Sequence, residues 1–112
     1  MKFRAIITER NTTIHFTLHD LLTNKFSNRE LLIPWLKAGN QPDRDTGMLD
    51  KNGKEIYEGD IIQNNHFKAK VFMKFGCYCV KTRDNTFYLK SWHIHSVVVG
   101  NIHEHPDKLK EG

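Results

Sequence analysis

The chain has 112 residues, enough for one domain. Seventeen Lys and Arg against thirteen Asp and Glu leave a formal charge of +4, too mild alone to name an acidic partner. Apolar residues come in runs of a handful, far short of the ~20 that a membrane-spanning helix needs. Seven Phe, three Tyr and two Trp are more aromatic residues than a disordered chain carries.

Residues 2–8 and 12–18 suit two strands joined by a turn at Glu9-Arg10-Asn11. In the second, Ile14, Phe16 and Leu18 alternate with Thr13, His15 and Thr17, the period of a half-buried strand. The start lacks the long apolar stretch of a signal peptide, so a cytoplasmic location is expected. His19 to Leu22 suits one helical turn. Ser27-Asn28-Arg29-Glu30 fits a capping box ahead of an apolar stripe of Leu31, Leu32, Trp35 and Leu36. Gly39 is a natural stop, and Pro34 predicts either a kink or two short helices, the second opening at Pro34. The stripe reads as core.

Residues 40–47 are a polar connector, after which the character turns to β. Asn52-Gly53 and Glu58-Gly59-Asp60 are reversals, the second leading into Ile61-Ile62. Residues 68–82 and 86–95 read as a hairpin closed by Arg83-Asp84-Asn85. Residues 96–102 form a last strand, in which Gly100-Asn101 suggests a bulge. Pro106 ends it, and 107–112 is a polar tail. The fold class expected is mainly β (α+β by content), with a small barrel or strongly bent sheet in the C-terminal half and an N-terminal hairpin and short helices before it. The organisation is one domain: strands and a helical segment over 1–45, a barrel-like part over 46–106 and the tail.

No catalytic motif is present, and no cofactor is called for. Glu55 and Glu58 lie beside turns, where carboxylates are ordinarily solvated. Cys77 and Cys79 point the same way on a strand, poor geometry for a mutual disulfide, and are expected reduced. His93, His95, His103 and His105 form two H-x-H pairs, each half of a zinc site if carried on a strand. Register decides whether the cysteines join them. A two-residue loop Asp84-Asn85 places Cys77 opposite Trp92, and only a three-residue loop places it opposite His93. The hairpin also gathers Lys70, Lys74, Tyr78, Lys81, Arg83, Tyr88, Lys90 and Trp92, with Lys68 at its start. Basic residues interleaved with exposed rings on a twisted sheet suit backbone charge and base stacking of a single-stranded nucleic acid. The plainer alternative is a core of aromatics with lysines on the solvent face.

Two segments carry a specific likeness: Thr46-Gly47-Met48-Leu49-Asp50-Lys51-Asn52-Gly53-Lys54-Glu55-Ile56-Tyr57-Glu58-Gly59-Asp60-Ile61-Ile62 and Val97-Val98-Val99-Gly100-Asn101-Ile102-His103-Glu104-His105-Pro106. Both resemble the signatures of the YopX family, small phage- and prophage-encoded proteins, and Lys2-Phe3-Arg4-Ala5 resembles the family's start. The resemblance implies a mostly β domain with an SH3-like small barrel in its C-terminal half, and no established activity. Asn52, Gly53, Gly59, Asp60, Gly100 and Asn101 read as a structural motif within these segments. The function expected is that of a phage accessory protein, non-enzymatic, a protein-interaction module that self-associates through edge strands. The alternative is a nucleic-acid-binding small barrel using residues 68–95.

Overall fold

A computed structural model describes residues 1–23 and 28–109. They fall into two compact units, Met1–Asp45 and Thr46–Gly112. In the first unit the strand over 2–7 lies between that over 12–17 and the start of a third, and the second unit carries a five-stranded antiparallel sheet in the order 86–88, 77–81, 68–74, 60–63, 97–101.

In the first unit β1 (Lys2–Ile7) pairs antiparallel with β2 (Thr12–Thr17) from Lys2↔Thr17 to Ile7↔Thr12. The connection is a 3-10 turn over Thr8–Arg10, ended by Asn11 in the left-handed region (φ 51). Helix α1 (Leu18–Thr23) has a reciprocal cap that the sequence reading missed. The Thr17 N–H donates to Asp20 Oδ2 at 2.9 Å, and the Asp20 N–H donates to Thr17 Oγ1 at 3.1 Å. Helix α2 spans Arg29–Lys37, preceded by Asn28 at φ 64 without a side-chain cap, and Ser27 lies outside the described residues. Arg29–Lys37 is one helix with Pro34 inside it, so the alternative of two short helices, the second opening at Pro34, does not occur. Proline removes only one helical N–H, and the apolar stripe holds the helix on both sides of it. Leu32 is buried with Ala5, Ile7, Ile14 and Phe16, and Leu31, Trp35 and Leu36 pack against them.

The polar connector is not a loop: β3 (Asp43–Leu49) begins inside it. Its first residues pair with β1 through Phe3↔Arg44 and Arg4↔Asp43. The reason is a buried ion pair, in which the Arg4 guanidinium donates to Asp43 Oδ2 at 2.8 and 3.1 Å. Tertiary pairing overrides the low strand propensity of this polar run.

In the second unit β4 (Glu55–Tyr57), β5 (Asp60–Gln63), β6 (Lys68–Lys74), β7 (Cys77–Lys81), β8 (Thr86–Tyr88) and β9 (Val97–Asn101) follow. The expected single strand over 68–82 is two strands. Phe75 (φ 50) and Gly76 (φ 79) both take positive φ and make a two-residue hairpin turn between paired Lys74 and Cys77. The next connection is a four-residue loop over 82–85, held by the Thr82 N–H to the Asn85 carbonyl at 2.9 Å. The predicted strand over 86–95 stops at Tyr88 and continues as 3-10 turns over Leu89–Ser91 and His93–His95. Ile56, Ile62, Ala69, Val71, Val80 and Leu89 form the core, with Met48, Tyr78, Trp92 and Val98 packed on it. The bulge falls where Gly100 was expected to mark it: Ile61 faces Gly100 and Ile62 faces Val98, leaving Val99 over. Among the described residues no pairing joins β8 to β9, so the sheet is not a closed barrel.

Candidate nucleic-acid interface

Successive strand residues point to opposite faces, and directly paired residues share a face. Val71 pairs with Val80 in the core, so their neighbours along the strands face the other way. On that outer face Phe72 pairs with Cys79, which pairs with Tyr88, a row across three strands. Two residues along lies a second row, Lys70–Lys81–Thr86, and two residues the other way lies Lys74–Cys77. An aromatic row is therefore flanked on each side by lysine, at a spacing of about 7 Å along the strands.

Tyr88 is 58% exposed, and the Lys90 ammonium lies 5.7 Å from its ring centroid. Lys74, Lys81, Arg83 and Lys90 are exposed and Lys70 is half-buried. None of these five forms an ion pair among the described residues. Cys79 is buried between the two rings of its row, and Cys77 is exposed; both are free thiols. The face can offer a polyanion several cations and at least one open ring.

The structure divides the predicted set. Lys70, Lys74, Lys81 and Tyr88 share the face, Lys90 joins them at Tyr88, and Arg83 sits in the adjoining loop. Tyr78 and Trp92 do not belong. Tyr78 pairs with Met73 on the core side, and Trp92 packs on the core and stacks on Phe87 at 5.5 Å. Phe72 and Phe75, outside the predicted set, also lie along this face and its hairpin tip. Gly76 in the middle of an overlong strand pattern was the signal for the turn that positions both.

Neither register considered for the cysteines occurs: β7 meets β8 through Cys79↔Tyr88, and β8 ends before Trp92 and His93. His93 and His95 sit on a 3-10 turn and not on a strand, so the same-face geometry of an H-x-H pair is absent. His93 Nδ1 donates to the Leu49 carbonyl at 2.8 Å. His105 Nδ1 accepts the Asn101 N–H at 3.3 Å and packs on Gly100, where an added Cβ would lie 2.8 Å from that nitrogen. The His103 N–H donates to Asn101 Oδ1 at 3.0 Å. Among the described residues no three His, Cys, Asp or Glu converge as metal ligands. Nor is any described helix long and apolar enough to cross a membrane.

The family model described as YopX protein matches residues 2–110. The chain belongs to the YopX family. No curated protein matches it.

The two YopX signature segments meet in the second unit, and their polar residues are taken up by backbone. Asp50 accepts N–H groups from Asn52, Lys54 and Val98, and Gly53 closes that turn at φ 83. Gly59, at φ 89, donates to the Val71 carbonyl and accepts from the Ile102 N–H, both at 2.9 Å. Asp60, 1% exposed, accepts the Tyr57 N–H at 2.8 Å. Asn101 Oδ1 accepts from His103 and Glu104, while its amide donates to Glu104 Oε1 at 3.0 Å. Asn52, Gly53, Gly59, Asp60, Gly100 and Asn101 are thus scaffold. The basic-aromatic face lies between the signature segments, in residues 68–90.

Proposed function

We propose that this YopX protein is a non-enzymatic phage or prophage accessory protein, acting in the host cytoplasm, whose β6–β7–β8 face binds single-stranded nucleic acid. The carrying observation is the row Phe72–Cys79–Tyr88 with Lys70 and Lys81 on one side and Lys74 on the other. Such a surface combines ring faces, which any base can stack on, with cations that track a phosphate backbone. The strand order supports an SH3-like reading of the second unit. The last strand lies beside the first, a three-strand meander extends from the first, and 3-10 turns precede the last.

The test is fluorescence anisotropy with labelled oligo-dT across a salt series. Lys70, Lys74 and Lys81 should give a log–log slope of about −2, near −0.7 per contact, and Lys81→Ala should reduce its magnitude by about 0.7. Tyr88→Ala should weaken binding by roughly 1–3 kcal/mol with the slope unchanged. Absence of wild-type binding at ~50 mM salt would remove this function.

A second reading, self-association, is favoured by β2, a six-residue strand at the end of its sheet order. The stripe around Trp35 packs inside the first unit and adds nothing to this reading. Sedimentation at micromolar concentrations should then show a dimer or higher species; a monomer throughout would refute it.

A further inference from the structure

Phe75 is 94% exposed at the tip of the β6–β7 hairpin and holds φ 50. A turn of this kind favours Asn or Gly at that position, because a side chain with a bulky Cβ substituent strains in the left-handed region. Almost fully exposed, the ring returns no packing within the chain. Folding therefore does not account for a phenylalanine here, and a strained exposed residue is a pointer to function. Its placement is informative. Lys74, which flanks the aromatic row on the side of the turn, precedes it, and the Lys74 ammonium lies 5.6 Å from the Phe75 ring centroid. The ring thus continues the track that runs from the Phe72–Cys79–Tyr88 row past Lys74 to the hairpin tip.

We propose that Phe75 stacks on a base of the bound single strand and so extends the binding track beyond the sheet. The proposal rests on the reading of the β6–β7–β8 face given above. Lys74 would hold the phosphate beside the stacked base, and the flat ring would engage any base without selecting among them.

The experiment compares wild type, Phe75→Asn, Phe75→Leu and Phe75→Trp on oligo-dT and on the same strand with abasic sites. Asn suits the turn, so Phe75→Asn should melt no lower than wild type, and a lower melting temperature would contradict the turn argument. Phe75→Asn and Phe75→Leu should weaken oligo-dT binding on the order of tenfold, Phe75→Trp should retain it, and the salt slope should not change. On the abasic strand the penalty should shrink towards none. Full affinity of Phe75→Asn for oligo-dT, or an equal loss on both strands, would overturn the proposal. So would unchanged oligonucleotide binding with lost binding to anionic vesicles, which would assign the ring to a lipid surface. If wild type binds oligo-dT and Phe75→Asn binds equally, only this inference fails; if wild type does not bind, the face itself fails.

Discussion

Asp50→Ala should lose roughly 3 kcal/mol or more of stability, enough to move a urea midpoint far outside error. Asp50 is 6% exposed. Its Oδ1 accepts the Asn52 and Lys54 N–H groups at 2.8 and 2.9 Å, and its Oδ2 accepts the Val98 N–H at 2.9 Å. One carboxylate thereby ties the turn of the first signature segment to the opening of β9. Alanine would leave three backbone donors without their partner, and each orphaned donor costs about 1–3 kcal/mol. Burial alone would raise the Asp50 pKa, but the three N–H donors, helped by the Lys54 charge, outweigh it and hold the carboxyl below its ordinary value. The sign follows: this stability is complete above about pH 4 and is lost as pH falls through the lowered pKa. Asp50→Asn, which keeps one acceptor oxygen, should fall between wild type and alanine and flatten the acid limb of the stability curve. A midpoint for Asp50→Ala equal to wild type would contradict this role.

Asp43→Ala should destabilise the first unit by about 3–5 kcal/mol, the usual result of removing one partner from a buried pair. Arg4 and Asp43 are each 8% exposed, and the two bonds between them meet at Asp43 Oδ2. Alanine takes from the buried Arg4 guanidinium the carboxylate it donates to twice, and β3 loses a contact that draws its polar start onto β1. Replacing both residues by apolar side chains of similar volume should recover much of the loss, since the cost is that of a buried guanidinium deprived of this carboxylate. Equal losses in the single and double variants would contradict that account; thermal melts of both decide it.

What the sequence disclosed was set by local physics. The alternation of Ile14 and Phe16 and the spacing of Leu31, Leu32, Trp35 and Leu36 record burial directly, and those elements formed as read. Gly53 and Gly59 mark turns because positive φ is needed there. The β6–β7 hairpin was hidden because Phe75 occupies a place where Asn would have announced a turn. The β7–β8 register was hidden separately, because its loop has four residues, and Trp92 lies beyond the end of β8 between two 3-10 turns. The start of β3 was illegible for another reason: its strand state depends on Arg4, 39 residues away, and no local pattern carries that partnership. For the candidate site, the residue types were visible in the sequence but their division between two faces was not, since that depends on register.

The most direct test of the proposed interface is amide chemical-shift mapping of the wild-type protein with oligo-dT. Binding at this face gives salt-sensitive perturbations concentrated in Lys70–Lys74, the turn at Phe75 and Gly76, Cys77–Lys81 and Thr86–Lys90, with residues 1–45 unmoved. No perturbation at low salt, or perturbation centred on residues 1–45, would contradict it.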